Sequence, residues 1–258
     1  MGKLPGIGRI FYGIAIAVIG LQTSIYRTFP YILSLPDNFS ITGRLILACV
    51  LGLLFALCGT AIVFEIKARL AALLFGALLL LICCFYCIPY EFITGSNYLH
   101  LGEWENAEKE LALAGGAFVI AGNYHAGNEN RLTRFLSKLI PLGAILFAIT
   151  IISFGILHFM VAKAAATLVP SWIPYPITWI YICGAALIGS GVSIVFKINT
   201  KLLAGLLGLM ILLWFVLLHI PRVMVAPAAD RTDEITSACL ALAYSGIAFV
   251  ICSRASKL

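Results

Sequence analysis

Two stretches of the sequence decide the fold: GTAIVFEIKARLAALLFGALLLLICCFYCIP, from Gly59 to Pro89, and GVSIVFKINTKLLAGLLGLMILLWFVLLHIP, from Gly191 to Pro221. They align without a gap, 132 residues apart, and each ends on a proline. Further matches in the same order pair Gly20 with Gly155, and Ala117–Ile120 with Ala248–Ile251. Leucine-rich helices resemble one another by chance, but chance rarely preserves the order of four segments. We infer an internal duplication.

The composition predicts that a bilayer surrounds most of the chain. Hydrophobic residues make up 62% of the sequence, charged residues make up 11%, and the mean hydropathy is +1.06. A helix that spans a membrane needs about 20 mostly apolar residues. Apolar runs of suitable length occur near residues 8–26, 43–64, 70–92, 107–122, 139–160, 177–196, 202–220 and 234–252. The sequence therefore predicts an all-α polytopic membrane protein of about eight transmembrane helices.

The fourth predicted helix is the least typical. It starts with Glu108, Lys109 and Glu110, and only the stretch from Leu111 to Gly122 is cleanly apolar, so a short or tilted helix is expected. Each unit has four helices. Because four is an even number, a unit ends on the side of the membrane where it began, and both units enter in the same direction, as parallel repeats. We divide the chain into a first four-helix-bundle repeat at residues 1–123, a cytoplasmic linker at 124–138 and a second repeat at 139–258.

The distribution of basic residues predicts the orientation. With the N-terminus inside, the inner segments carry eleven Lys and Arg residues and the outer segments carry six. Because cationic residues are retained on the cytoplasmic side, we expect both termini in the cytoplasm, with the protein in a bacterial inner membrane. The formal net charge of +6 is then mainly a signal of the inner membrane face, so we do not interpret it as nucleic-acid binding.

Several short motifs in the second repeat carry a resemblance to a known family. They are Gly155-Ile156-Leu157-His158-Phe159, Val169-Pro170-Ser171-Trp172-Ile173-Pro174, Trp179 with Gly184, and Leu218-His219-Ile220-Pro221. On these residues, the region 139–252 resembles the DoxX-like family of small four-helix membrane proteins. The first repeat looks like a degenerate copy, with its clearest family-like string from Ala112 to Ala117.

The resemblance implies only a general role. Most DoxX-like proteins have no assigned role, some resemble membrane subunits of sulfur-compound:quinone oxidoreductases, and others resemble partners in disulfide formation or in the maturation of membrane proteins. The first repeat departs from the second at two positions, since His158 corresponds to Thr23 and His219 corresponds to Cys87. Chemistry that depends on histidine would therefore belong to the second half.

The unusual side chains gather in the outer third of the predicted bundle. We predict an outer-face pocket that contains His158, His219, Trp172, Arg222, Gln22 and Glu110. In such a pocket an imidazole can exchange a proton with a quinone oxygen, so a quinone is one candidate cofactor, but the sequence does not identify a cofactor. The alternatives are that the histidines cap helix ends, that the tryptophan belongs to the aromatic belt, and that Glu110 extends a solvated acidic loop. No cluster of ligands with metal-binding spacing accompanies the histidines.

The cysteines give a second hypothesis. Cys84 and Cys87 form a C-x-x-C at the outer end of helix three, and residues three apart on a helix lie on one face. They are candidates for a thiol/disulfide pair, against the alternative of buried thiols without redox function. Most of the other cysteines lie within or at the ends of apolar helices and are expected to act as small apolar packing residues.

Three functional classes follow. The first is a quinone- or thiol-linked redox accessory that works with another membrane or redox protein. The second is a non-catalytic assembly or stabilising subunit of a larger membrane complex, and the third is a small-molecule carrier. The sequence carries no nucleophilic triad, phosphate-binding loop or nucleotide fingerprint, so we do not expect a stand-alone enzyme.

Overall fold

The structure, a computed structural model, describes residues 3–33, 41–94, 100–127 and 130–255, and its regular elements are all helical. We number eight long helices in chain order. They are α1 (Lys3–Tyr26), α2 (Ile41–Val63), α3 (Ala68–Ile82, then a π-helical turn Cys83–Cys87, then Ile88–Thr94), α4 (Glu105–Ala121), α5 (Arg131–Leu136, then a 3-10 stretch Ser137–Leu142, then Gly143–Met160), α6 (Pro176–Phe196), α7 (Thr200–Trp214, then a π-helical turn Phe215–His219, then Ile220–Val225) and α8 (Arg231–Ala255). Short helical segments at Tyr31–Leu33, Leu101–Trp104 and Ala162–Ala166 lie in the connections.

Seven of these helices are long and apolar enough to cross a membrane, which confirms the expected class of all-α polytopic membrane protein. The eighth, α4, has 17 residues and carries Glu105 and Glu108 in its first turn. It is short, as its acidic start suggested. Twelve of its residues are nevertheless buried, so α4 belongs to the core of the bundle.

One boundary differs clearly from the prediction. Helix α5 begins at Arg131, eight residues before the predicted apolar run, because polar residues extend it through Arg131–Leu136 and a 3-10 stretch that contains Pro141. Asn130 caps this start by accepting a hydrogen bond from the backbone N–H of Thr133. The second half of the predicted 124–138 linker is therefore helical, while the wider division of the chain into repeats stays a prediction.

The contacts among the four helices of the first half recur among the four helices of the second half. Contacts of α1 with α2, α2 with α3, and α3 with α4 recur as α5 with α6, α6 with α7, and α7 with α8. The first helix of each half packs against the last helix of the other half, as α1 with α8 and α5 with α4. Helices α4 and α8 also touch each other. The halves are thus joined through their fourth helices.

The two central helices run in the same direction. The hydroxyl of Tyr244 donates a hydrogen bond to the carbonyl of Lys109 (3.3 Å), and the guanidinium of Arg254 donates to the carbonyl of Val119 (3.3 Å). A step of ten residues along α8, from Tyr244 to Arg254, thus corresponds to a step of ten residues in the same direction along α4, from Lys109 to Val119. This is the relation expected for parallel repeats.

Glycine contacts hold the first helix of each half against the last helix of the other half. A Cβ atom on Gly143 would lie 2.7 Å from the carbonyl oxygen of Gly115, where α5 crosses α4. At the equivalent crossing of α1 and α8, a Cβ atom on Gly8 would clash with the carbonyl oxygen of Gly246. Small residues let helix backbones approach closely in membranes, so glycine is required at these crossings.

Local backbone features repeat at the same offset as the sequence. The π-helical turns Cys83–Cys87 and Phe215–His219 are 132 residues apart. The turn after α2 holds Glu65 and Lys67 at positive φ, and the turn after α6 holds Lys197 and Asn199 at positive φ. Non-glycine residues rarely adopt this left-handed conformation, so its recurrence supports the inferred duplication.

Both ends of the described chain lie at the same end of the bundle. There, Arg9 near the start of α1 forms an ion pair with Glu65 (2.8 Å), and Arg254 near the end of α8 contacts the last turns of α4. We call this end the terminal end, and the end that holds Gln22, Glu110 and His158 the opposite end. Assignment of the terminal end to the cytoplasm stays a prediction.

Candidate functional site

A fully buried carboxyl group lies near the opposite end of the central helix α4. Oε2 of Glu110 accepts a hydrogen bond from the thiol of Cys87 (3.6 Å), and Oε1 has no hydrogen-bond partner among the described residues. A polar atom without a partner is costly in an apolar interior, and ionisable groups inside membranes usually mark a functional site. Glu110 is therefore the strongest single candidate.

The π-helical turn of α3 brings two cysteines to this carboxyl group. Cys83 and Cys87 both face α4, where the thiol of Cys83 donates to the carbonyl of Ala107 (3.5 Å). A π-helical turn is wider than an α-helical turn and is common at functional sites. The equivalent turn in α7 ends at His219, so both halves place a titratable side chain at the same point.

Four aromatic residues lie beside the cysteines near Glu110, and we call Tyr86, Tyr90, Phe92 and Trp104 the aromatic cluster. Tyr86 and Trp104 pack against the buried cysteines, and the rings of Tyr86 and Tyr90 stack with centroids 5.8 Å apart. The ring of Phe92 meets Trp104 edge to face at 5.0 Å. These side chains are half-buried or exposed, so a molecule in the membrane can reach them.

A second carboxyl group, Glu108, lies on α4 but faces α5. Its Oε1 accepts a hydrogen bond from the hydroxyl of Ser153 (2.5 Å), and Thr150 donates to its backbone carbonyl (2.8 Å). Oε2 of Glu108 has no partner among the described residues. The sequence placed Glu108 at the start of the fourth predicted helix, but it did not predict that this side chain is half-buried against α5.

Lys109 lies between these carboxyl groups in sequence and has its own partners. Its ammonium pairs with Glu105 (2.6 Å) and lies 4.6 Å from the centroid of the Tyr31 ring. Burial raises the pKa of Tyr31 to about 12, so this phenol stays neutral and offers the ammonium only its ring face. The charge of Lys109 is thus neutralised by Glu105 and not by Glu110.

Gln22 connects two helices. Its amide nitrogen donates to the carbonyl of Thr232 (2.7 Å) and to the hydroxyl of Thr236 (3.0 Å), both at the start of α8. The side chain is buried, and its Oε1 has no partner among the described residues. Gln22 therefore fixes α1 to α8 at the opposite end of the bundle.

His158 bonds to its own helix. Its Nδ1 lies 2.7 Å from the carbonyl oxygen of Phe154, one turn earlier, and its Cβ borders the close approach of α5 to α6 at Gly184. In the first half, the hydroxyl of Thr23 makes the equivalent contact with the carbonyl of Ile19 (2.8 Å). The two halves thus use different side chains for the same local backbone contact.

His219 and Arg222 lie on α7, on the side that meets α8. Arg222 donates through two guanidinium nitrogens to both carboxylate oxygens of Glu234, a bidentate ion pair. Nδ1 of His219 is buried and has no hydrogen-bond partner among the described residues. Trp172, in the connection between α5 and α6, is 69% exposed.

The single outer-face pocket that the sequence predicted is therefore not what the structure shows. Glu110 lies between α3 and α4, Gln22 between α1 and α8, and His158 where α5 crosses α6, while His219 and Arg222 face α8 and Trp172 points outward. Apolar periodicity predicted the depth of these residues in the membrane. It did not predict which neighbouring helix each one faces.

The structure places the two candidate thiols, Cys84 and Cys87, in different surroundings. Cys84 is exposed, Cys87 is buried, and both are free thiols. The reason is the π-helical turn, which has more residues per turn than an α-helix, so that residues three apart, here Cys84 and Cys87, no longer lie on one face. A fixed α-helical period could not predict this change of face.

Comparison of this chain with protein-family models, with curated proteins and with solved structures finds no match. The candidate site is therefore described by its geometry alone.

Proposed function

We propose that this chain is a DoxX-like membrane subunit that acts as a quinone-linked redox accessory, with Glu110 as the group that exchanges protons. The observation that supports the proposal is the buried carboxyl group of Glu110, with one oxygen lacking a partner, beside the aromatic cluster. The electrons would pass between the quinone and a redox partner protein.

The chemistry of a quinone fits these side chains. A flat quinone ring packs well against aromatic faces such as those of Tyr86 and Trp104. Conversion of a quinone to a quinol takes up two electrons and two protons, and a carboxyl group placed beside the ring can donate or accept a proton. Phe85 and Phe92 are 78% and 60% exposed, so this surface of α3 is apolar, which suits the entry of a lipid-soluble quinone from the membrane.

Glu110 is a better proton-exchanging group than His158. The Nδ1 atom of His158 is already bound to the carbonyl of Phe154, in a contact that Thr23 makes in the other half. Cys83 and Cys87 are less suited to direct redox chemistry, because reactive thiols are usually accessible and these two are buried. In this proposal Cys87 orients the carboxyl group of Glu110.

Quinone binding can be measured by quenching of tryptophan fluorescence. Purified protein in detergent would be titrated with decylubiquinone, using the wild type, Glu110→Gln, Trp104→Phe and, as a control, His158→Gln. We expect Glu110→Gln to weaken binding about tenfold, because an amide N–H donates a weaker hydrogen bond to a quinone oxygen than a carboxyl O–H does, and Trp104→Phe to remove most of the quenching. His158→Gln should bind like the wild type. Equal binding by the wild type and Glu110→Gln would contradict the proposal.

One observation favours the second function, that of an assembly subunit. Trp172 and Tyr175 are 69% and 78% exposed in the connection before α6, and Met224 and Val225 are similarly exposed at the end of α7. Exposed apolar side chains at one end of a bundle suit a contact with another membrane protein. If a larger complex copurifies in mild detergent, without quinone and with unchanged yield in the His158 and His219 variants, this function is favoured.

A further inference from the structure

A cavity of about 410 Å³ opens at the terminal end, far from Glu110. The turn between α2 and α3 forms one side, with Lys67 and Arg69, and the segment that follows α4 forms the other side, with His125 and Asn130. This volume lies within the usual range for small-molecule sites. The proposed function uses none of these residues.

The charge at the mouth of this cavity is positive. Its one described acidic side chain, Glu65, is paired with Arg9 at 2.8 Å. Arg69 is held in place by bonds to the carbonyls of Ala121 (2.9 Å) and Tyr124 (3.0 Å). The guanidinium is therefore fixed at the cavity wall, and Lys67 is exposed beside it.

The floor of the cavity is apolar. Leu70 and Leu73 line it, and Leu73 is fully buried. The same turn carries Phe64 and Ile66, which are 69% and 63% exposed. Exposed apolar side chains next to basic ones are typical of the interface between hydrocarbon and lipid headgroups.

We propose that this cavity binds the phosphate group of an anionic phospholipid. Lys67, Arg69 and His125 surround the phosphate, and Leu70 contacts the lipid beyond the headgroup. Cations attract the phosphate whatever its source, because ammonium and guanidinium groups form charge-assisted hydrogen bonds with phosphate oxygens. The apolar floor favours a lipid over free phosphate, and basic pockets between membrane helices commonly hold such headgroups.

The test uses the full-length protein in detergent and counts bound lipid by native mass spectrometry. Palmitoyl-oleoyl phosphatidylglycerol is added, with palmitoyl-oleoyl phosphatidylcholine as the lipid control and excess inorganic phosphate as a competitor. The variants are Lys67→Gln and His125→Gln. Lys197→Gln is the matched control, because Lys197 also has positive φ in the equivalent turn of the second half but does not line the cavity.

We expect Lys67→Gln to weaken phosphatidylglycerol binding about fivefold, and His125→Gln to weaken it as well, while Lys197→Gln binds like the wild type. The proposal is overturned if phosphatidylcholine binds as well as phosphatidylglycerol, or if Lys67→Gln and Lys197→Gln behave alike. Complete displacement by inorganic phosphate would assign the site to free phosphate and overturn the lipid assignment. Arg69 is left unchanged, because its loss would free the carbonyls at the end of α4.

Discussion

The thiol of Cys87 donates a hydrogen bond to the carboxylate of Glu110 and thereby joins α3 to α4 inside the bundle. The equivalent positions of the second half hold His219 and Ala241, so this thiol and carboxyl pair exists in the first half alone. The sequence motifs had directed attention to the second half. The buried carboxyl group of Glu110 and the half-buried one of Glu108 instead lie in the first half.

Replacement of Glu110 by methionine should separate stability from function. Methionine has a similar length and no polar atom, so it removes the carboxyl oxygen that lacks a partner. We expect the midpoint of thermal unfolding in detergent to stay the same or rise, while quinone binding falls. Glu234→Met is the control, because it leaves Arg222 without its ion-pair partner and should lower the midpoint. A large loss of stability in Glu110→Met would indicate a structural role for this carboxyl group.

Alanine at Gly143 should destabilise the crossing of α4 and α5. The new methyl group would lie 2.7 Å from the carbonyl oxygen of Gly115, and such overpacking typically costs ~1–3 kcal/mol. Gly189→Ala is the control, since a Cβ atom there meets nothing within 4 Å and alanine favours a helix by ~0.5–1 kcal/mol. Thermal unfolding of both variants in the same detergent measures the difference. Equal midpoints would contradict the close approach of these helices.

The three cysteines of the π-helical turn should react in a fixed order. Cys84 is exposed, whereas Cys83 and Cys87 are 2% and 7% exposed. We expect N-ethylmaleimide to modify Cys84 first in the native protein and to modify the other two only after unfolding. Mass spectrometry of peptides after timed alkylation gives the order. A native disulfide between Cys84 and Cys87 would show that α3 turns differently from the structure described here.

The orientation of the bundle can be tested with fusions at the C-terminus. Because basic residues concentrate at the terminal end, we expect this end in the cytoplasm. A green fluorescent protein fused after α8 should then fluoresce, and an alkaline phosphatase fused at the same point should be inactive. Insertion of each reporter between α5 and α6, next to Trp172, should give the reverse pattern. Active phosphatase at the C-terminus would mean that the cavity near Lys67 faces the periplasm.

The fold was largely predictable because apolar periodicity and duplication are properties of the chain itself. Gly59–Pro89 and Gly191–Pro221 located four of the long helices and their two short turns, and the structure repeats even their π-helical turns. Two details were not predictable in this way. The first is that polar residues extend α5 back to Arg131. The second is that the first helix of each half packs against the last helix of the other half, through glycine contacts such as that of Gly115 with Gly143.

The candidate site was predicted only in part, for a physical reason. Position along a helix can be read from the sequence, and the structure has Glu110, Gln22 and His158 at one end of the bundle, while their depth in a membrane stays a prediction. Side-chain direction depends on the local helix type and on the neighbouring helix. At Cys83–Cys87 the local helix type is a π-helical turn instead of an α-helix. For Gln22 the neighbouring helix is α8, because α8 packs against α1.

Each half of this protein is incomplete by itself, because its first helix packs against the last helix of the other half as well as against the second helix of its own half. A polypeptide with only one such quartet would have to associate with a second copy to cover those surfaces. The duplicated chain is thus equivalent to a homodimer whose two subunits have been fused. In a fused chain the two halves need not have identical sequences. The first half can therefore have a carboxylic acid at Glu110, where the second half has the methyl group of Ala241.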